Sequence, residues 1–268
     1  MSITYEFFLL SFLGFTVISK VLTGYFDFDS KKTKFVTILI SIWILDDYSL
    51  ILVGGVTKLY MNDQSSSPMS NKVELYSADV GPEPLPSHPQ ELIGVGLAYG
   101  YDRIIYACGG ATWTTVQSDC YSLNLRWDKK LLCDGVSFCL RSLENNWKKI
   151  GSLSHGRAFG LMAWLPDEQN VTKLFHIGGL DPKTYEAVIP IEMFDEENGS
   201  WDIFRDIPTD QDHKFPESPD HGCLAVNDNF VYSVGLTNIV SLNWNTWEIS
   251  QVCHQISCFE VHGNNITL

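Results

Sequence analysis

The stretch Ile104-Ile-Tyr-Ala-Cys-Gly109-Gly110 ends a run of apolar residues on a pair of glycines. The same ending occurs at Leu50-Ile-Leu-Val-Gly54-Gly55 and Leu174-Phe-His-Ile-Gly178-Gly179, and Phe230-Val-Tyr-Ser-Val-Gly235 is a degenerate fourth copy. Successive copies are about 55 to 70 residues apart, a spacing near the upper end of the range of repeated structural units. The sequence therefore predicts a fold built from similar consecutive units.

A second apolar segment precedes each glycine run at hairpin distance. The clearest case is Cys223-Leu-Ala-Val, followed by the turn residues Asn227-Asp228-Asn229 and then by Phe230. Small polar residues that tolerate positive φ are typical of tight turns between antiparallel strands. Each unit is therefore expected to begin with a β-hairpin.

Two further strands follow each glycine run in this interpretation. The third carries an aromatic residue and the fourth begins with a tryptophan, and the residues that fit this order are Tyr76, Tyr121, Phe194, Trp147, Trp201 and Trp247. Two repeats depart from it, since no tryptophan follows Tyr76 and Leu242 stands where the fourth repeat should have its aromatic residue.

The ordered set of glycine pair, aromatic residue and tryptophan resembles the kelch repeat family. This resemblance covers about Leu50 to Leu268 and implies an all-β fold, a kelch-type β-propeller with four-stranded antiparallel blades. Glycine would permit close backbone approach where a blade narrows, and the large aromatic residues would fill the wider gaps between blades.

The predicted organisation is an N-terminal hydrophobic segment, 1–34, followed by a kelch-repeat propeller, 35–268. The repeats are expected at about 35–90, 91–153, 154–208 and 219–250, with a partial repeat at 256–268. That partial repeat has two explanations. Its strands could close the ring against the first blade, or the sequence could be an incomplete part of a longer propeller.

The composition indicates a folded protein with an acidic surface. The chain has 268 residues, of which 45% are hydrophobic and 13% aromatic, so a folded protein is expected. Its 32 acidic and 18 basic residues give a net charge of −14, and no basic stripe interrupts that charge. We therefore expect no nucleic-acid partner, because an acidic surface repels phosphates.

The N-terminus contains an apolar stretch, Phe7 to Ile18, that has the length of a signal-peptide core and is too short to span a bilayer. A second, Phe35 to Leu45, follows three lysines. The alternatives are a signal peptide or anchor, a buried strand for the second stretch, and a membrane span. Contact with a membrane is expected only through such an N-terminal anchor.

Seven cysteines show no metal-ligand spacing, so no metal site or cofactor is expected. Cys108 and Cys120 would lie on adjacent strands of one repeat, which makes a disulfide geometrically feasible. Cys133 and Cys139 could close an insertion at 126–146. The alternative for all of these cysteines is a buried free thiol.

Three sequons favour the secretory route, at Asn170, Asn198 and Asn265. They and the N-terminus predict a secreted or cell-surface glycoprotein, with a cytoplasmic location as the alternative.

No catalytic motif is recognisable. The seven histidines have no paired spacing, His176 falls in an apolar strand where a packed side chain is expected, and no nucleophile elbow or phosphate loop is present. We therefore predict a non-catalytic protein–protein interaction module, with a protein partner bound by loops at one end of the blades. The alternatives are an intracellular kelch adaptor for a ubiquitin ligase and a galactose-oxidase-like enzyme.

Overall fold

A computed structural model describes most of the chain. The described residues are 17–27, 33–46, 49–55, 68–77, 81–100, 103–133, 137–142, 146–181, 184, 186–208, 223–227, 229–234, 238–254, 260–262 and 265–267. These residues form strands, turns and bends, and none of them is helical. No helix capable of crossing a membrane is therefore found among them.

Sheet I contains five antiparallel strands in sequential order. They are β1 (Val17–Asp27), β2 (Thr33–Asp46), β3 (Ser49–Val53), β4 (Val73–Ser77) and β5 (Gly81–Leu85). The second apolar stretch of the N-terminus lies in β2, where Thr37 is paired with Thr23 of β1. Whether 1–34 acts as a signal or anchor stays a prediction.

Sheet II contains the strands of the second repeat in the order β10-β8-β7-β6, and β9 pairs with an extension of β8. They are β6 (Gly96–Tyr99), β7 (Ile104–Cys108), β8 (Asp119–Cys133), β9 (Ser137–Ser142) and β10 (Lys148–Ser152). The insertion at 126–146 thus contains a hairpin, because Leu125 pairs with Ser142 and Cys133 pairs with Ser137.

Sheet III contains the third repeat in the order β11-β12-β15-β16, and a two-stranded hairpin follows β12. The strands are β11 (Leu161–Pro166), β12 (Thr172–Ile177), β13 (Leu180–Asp181), β14 (Glu186–Ala187), β15 (Pro190–Asp195) and β16 (Ser200–Asp206).

Sheet IV contains the fourth repeat in the order β17-β18-β19-β20, and a separate hairpin, β21-β22, follows it. The strands are β17 (Cys223–Asn227), β18 (Phe230–Val234), β19 (Asn238–Asn243), β20 (Ile249–His254), β21 (Glu260–His262) and β22 (Asn265–Thr267). The expected all-β fold of antiparallel multi-stranded sheets is confirmed.

Burial falls from the first two strands of a sheet to its last strand. In sheet III, β12 is buried over its last four residues, Leu174 to Ile177, whereas Trp201 is the one buried residue of the outer strand β16. In sheet II, Lys148 and Lys149 of the outer strand β10 are exposed. A strand buried on both faces has neighbours above and below it, so the inner strands are covered by adjacent sheets.

One hydrophobic core extends through all four sheets. Its fully buried members include Ile51, Leu123, Leu125, Leu161, Phe175, Ile177, Ile191, Val231 and Leu242. Burying each such side chain contributes about 1.5–3 kcal/mol relative to leaving it in water. The strand β6 contacts β2 on one side and β11 on the other, and β11 also contacts β17. The sheets are thus neighbours in chain order.

A repeated backbone contact, which we name the glycine joint, connects the first and second glycine pairs to the segments that lead into the next sheets. The Gly55 amide donates to the Leu92 carbonyl at 3.0 Å, and the Gly110 amide donates to the Arg157 carbonyl at 2.8 Å. At Gly109, φ is +70°, and a Cβ atom there would lie closer than 3.0 Å to the Arg157 carbonyl oxygen. The second joint therefore requires glycine for both its conformation and its space.

The segments that follow each joint are also equivalent. Ile93 exchanges two hydrogen bonds with Ala111, and Ala158 exchanges two with Leu180. The next residue has positive φ in both places, +63° at Gly94 and +61° at Phe159. Since a phenylalanine rarely adopts this conformation, the repeated geometry at Phe159 must be imposed by its surroundings.

The substitution Gly109→Ala should destabilise the protein more than Gly199→Ala does. Gly199 also has positive φ, +62°, but the nearest atom to its added Cβ would be 3.8 Å away. We expect a loss of about 1–2 kcal/mol for Gly199→Ala from backbone strain alone. Gly109→Ala should cost about 3 kcal/mol or more, because the Arg157 carbonyl must also move. Urea unfolding measures both values, and equal losses would contradict the role assigned to the joint.

Candidate functional site

The glycine joints gather several loops at one end of sheets I, II and III, which we name the loop end. The hydrogen bonds between Gly55 and Leu92, Ile93 and Ala111, and Gly110 and Arg157 connect these loops in series. The opposite end carries the hairpin turns, because β12 begins beside the turn at 167–171 and ends beside the glycine pair. Side chains from different repeats can therefore meet at the loop end.

An open cleft of about 530 Å³ lies at the loop end. It is lined by residues from three connections, namely Met69, Gln90, Glu91, Thr112, Trp113, Thr114 and Gln117. They come from the β3–β4 loop, the link between sheets I and II, and the β7–β8 loop. The cleft thus combines an indole ring, a thioether, hydroxyl and amide groups, and a carboxylate.

Hydrogen bonds fix both ends of the link that carries Gln90 and Glu91. Before it, the His88 amide donates to the Asn71 carbonyl at 2.7 Å and Asn71 Nδ2 donates to the His88 carbonyl at 3.1 Å. After it, the Leu92 carbonyl accepts the Gly55 amide of the first joint. Two exposed or half-exposed side chains are therefore presented from a fixed backbone.

The opposite wall of the cleft is a tight threonine turn. The Thr112 amide donates to the Thr115 carbonyl at 2.8 Å, and Thr112 Oγ1 accepts the Thr115 amide at 2.9 Å. Gln117 is fixed through its backbone, which donates to Gly110 and accepts from Arg157. A preformed site pays less ordering entropy when a ligand binds.

A buried ion pair fixes Arg157, the residue whose carbonyl group forms the second joint. Arg157 and Glu192 are both fully buried, and Arg157 Nη2 donates to Glu192 Oε1. Arg157 Nη1 donates to the Pro190 carbonyl at 2.6 Å, and the Ser154 amide donates to Glu192 Oε2 at 2.7 Å. Burial lowers the pKa of Arg157 to about 10, opposed by the attraction of Glu192, so the guanidinium is charged at neutral pH.

Removing one partner of this pair should be far more costly than removing one partner of an exposed pair. We expect Glu192→Ala to cost about 3–5 kcal/mol, because Arg157 would remain as a buried and unpaired charge. The exposed pair of Arg205 and Glu168, separated by 2.9 Å, gives the control. Glu168→Ala should cost about 0–1 kcal/mol. Denaturant unfolding compares the two variants, and a small loss for Glu192→Ala would contradict the supporting role of the pair.

His176 is buried beside this pair and faces it from β12. It is 1% exposed, pairs across the strands with Glu192, and lies against the backbones of Gly96 and Gly160. Burial and repulsion by Arg157 hold the pKa of His176 well below 6.5, and the backbone of Cys108 opposes them. His176 is therefore a neutral packed side chain, in agreement with the interpretation of the sequence.

The free energy of unfolding should decrease as the pH falls below about 6.5, which is the pKa of a histidine in the unfolded chain. There the unfolded chain binds a proton that folded His176 does not bind, so protons favour unfolding. His88, whose pKa is also lowered by burial, acts in the same direction. We expect His176→Gln to reduce the decrease in melting temperature between about pH 7.5 and about pH 5.5. His155→Gln, at an exposed position, is the control, and identical pH profiles of wild type and His176→Gln would contradict this assignment.

Tryptophans hold successive sheets together. Trp147 Nε1 donates to the Pro86 carbonyl at 2.9 Å, which connects sheet II to the end of sheet I. Trp164 Nε1 donates to the Tyr99 carbonyl of sheet II at 3.1 Å, and Trp244 Nε1 donates to the Pro166 carbonyl of sheet III at 2.8 Å. Each indole thus fills an intersheet gap with its ring and satisfies its polar atom.

The repeat pattern predicted Trp147 but neither Trp164 nor Trp244. Trp244 is 3% exposed and packs on Phe175 at 5.0 Å between ring centroids. The predicted residue, Trp247, is half-buried beneath the Arg205 guanidinium, which lies 4.4 Å from its ring centroid. Trp244 and Trp247 lie close together, in the sequence Trp244-Asn-Thr-Trp247. Trp244 directly follows the third strand of its repeat, and this position could have identified it as the intersheet residue.

The other predicted repeat residues lie as follows. Tyr121 and Phe194 are in third strands of sheets II and III, Trp201 is buried in β16, and Tyr76 is in β4. Tyr121 packs edge-on to His88 and Phe194 packs on Trp201. Gly54, Gly55, Gly109, Gly110, Gly178 and Gly179 all have positive φ, and Gly235 lies outside the described residues.

The expected disulfide between Cys108 and Cys120 is confirmed. The two residues are direct cross-strand partners on β7 and β8, and both are fully buried. In the insertion, Cys133 lies opposite Ser137 and Cys139 lies opposite Asp128. Cys133 and Cys139 are therefore not opposite each other in the hairpin, and this register does not favour a disulfide between them. The bond stays a prediction.

Two of the sequons occupy exposed turns. Asn170 follows β11 with a φ of +62°, and Asn198 lies between β15 and β16. Asn265 is the first residue of β22. Both exposed turns lie at the end of sheet III that is opposite the loop end.

Within the described ranges, no group of three or more histidine, cysteine, aspartate or glutamate side chains is positioned to hold a metal ion. No protein family matches the chain, and no curated protein matches it.

Proposed function

We propose that the chain is a kelch-type β-propeller that binds a protein partner at its loop end and catalyses no reaction. The observation that carries the proposal is the glycine joint, because it repeats in register with the sequence motif and places loops of successive repeats around one cleft. Further support for blades comes from the four antiparallel sheets, whose first strands are neighbours in chain order.

The arrangement of β1 is consistent with a shared axis. It contacts the first strands of the second, third and fourth repeats, β6, β11 and β17. Three sheets that each present their first strand to one strand of a fourth sheet fit a radial arrangement better than a two-layer sandwich. The intersheet tryptophans agree with this, since each blade of a propeller is stable only against its neighbours.

The loop end is favoured over the opposite end for partner binding. Its cleft is open and lined from three connections on a fixed backbone, which is the usual construction of a binding surface on a rigid scaffold. The sequons at Asn170 and Asn198 lie at the other end, so glycans there would leave the cleft accessible. The buried disulfide is typical of oxidising compartments and supports a secreted or cell-surface location.

A bulky charged residue in the cleft should weaken partner binding, whereas the same change at the opposite end should not. Thr114 and Gln169 are both exposed polar residues, at the loop end and in the β11–β12 turn respectively. Thr114→Arg should weaken the interaction about tenfold or more by obstructing the cleft, and Gln169→Arg should leave it unchanged.

The measurement is quantitative affinity capture from extracellular fluid, followed by binding constants for each purified protein recovered. Circular dichroism checks that both variants are folded. Partners retained by Thr114→Arg and lost by Gln169→Arg would contradict the proposal, and so would enrichment of no protein over an unrelated acidic control.

A further inference from the structure

We infer that the cleft at the loop end binds a basic segment of the partner, with a guanidinium or ammonium side chain between Glu91 and Trp113. This inference rests on the proposed function and adds the chemistry of the partner. It follows from the groups that line the cleft, their fixed positions and the charge of the chain.

The polar groups of the cleft are suited to a hydrogen-bond donor that carries positive charge. Glu91 is exposed and contributes a carboxylate, and none of the lining residues that the structure describes is a lysine or an arginine. Thr114, which is exposed, contributes a hydroxyl oxygen. A cation in such a site forms charge-assisted hydrogen bonds, which are about twice as strong as neutral ones.

The apolar side of the cleft suits the same ligand. Trp113 and Met69 are half-buried and pack on the small apolar cluster of Ile93, Ala111 and Ala158. An indole attracts a cation that approaches its face, and the aliphatic stem of lysine or arginine packs on apolar surface. The chain already contains one such contact, because the Arg205 guanidinium lies over the Trp247 ring.

One side chain of the cleft also lacks a donor. Gln90 Oε1 is buried and accepts no hydrogen bond from the described residues. A buried acceptor without a partner costs about 1–3 kcal/mol. A donor that enters the cleft would compensate this cost if the Gln90 side chain turns toward it.

The charge of the whole chain favours the same partner. A net charge of −14 attracts a basic segment over distances of about one Debye length and accelerates its association. This attraction alone does not select a site, so the experiment must separate it from binding in the cleft.

The test uses the full chain and a fluorescein-labelled peptide of sequence Gly-Gly-Arg-Gly-Arg-Gly-Arg-Gly-Gly, measured by fluorescence anisotropy at physiological salt. A peptide with citrulline at the three arginine positions has nearly the same shape without charge. We expect saturable binding of the arginine peptide and at least about tenfold weaker binding of the citrulline peptide.

Two glutamates provide a matched pair of variants. Glu91→Gln should weaken binding of the arginine peptide about tenfold. Glu197→Gln removes the same charge at an exposed turn at the opposite end and should change binding less than about twofold. Trp113→Leu should also weaken binding, with its melting temperature checked, and Glu91→Gln decides the question if Trp113→Leu does not fold.

Equal effects of Glu91→Gln and Glu197→Gln would overturn the inference and show general electrostatic attraction instead. Equal binding of the citrulline peptide, or binding of neutral chitotetraose in place of the arginine peptide, would also overturn it. If these results occur while Thr114→Arg still weakens capture of a protein, the proposed function stands and only the basic partner is wrong.

Discussion

The arrangement of the sheets depends on backbone contact between one sheet and the segment that leads into the next. At the second joint, Gly109 and Gly110 bring their backbone against the Arg157 carbonyl. The Arg157 side chain then continues into the interior, where Glu192, Pro190 and Gly178 accept its hydrogen bonds. One residue thus joins sheet II through its carbonyl and sheet III through its guanidinium.

Aromatic packing supplements these joints farther out. Tyr106 packs on Trp164 between sheets II and III, and Phe204 stacks on Trp244 between sheets III and IV. The indole hydrogen bonds to carbonyls of the preceding sheet give the packing a direction. Burial supplies most of the energy, and the directional bonds determine how each sheet is positioned on its neighbour.

In the function that we propose, the loop end would use this rigidity for recognition. The same bonds that position Leu92 and Arg157 also fix the backbone beside Gln90, Glu91 and Gln117. A partner that bound in the cleft would therefore cause little ordering of this backbone. The residues of the joints are separate from the residues that line the cleft, so a change in the lining would leave the scaffold intact.

The sequence by itself determined the strand-rich class of the fold and its repeated hairpins, and it indicated the cross-strand disulfide as one of two alternatives. Each of these depends on contacts between residues close in the chain, as with Cys108 and Cys120, which are separated by 12 positions. Alternating burial and turn residues encode such hairpins directly. The glycine pairs were likewise visible, because a positive φ together with close backbone approach excludes other residues.

Only the tertiary structure decided which side chains meet between repeats. The pairing of Arg157 with Glu192, the burial of His176 beside them, and the hydrogen bonds of Trp164 and Trp244 join residues on different strands or different sheets. The cleft is lined by three separate connections, so no local pattern predicted it. The physical reason is that the close approach of sheets depends on how whole surfaces pack, whereas a sequence motif reports only the conformation of its own segment.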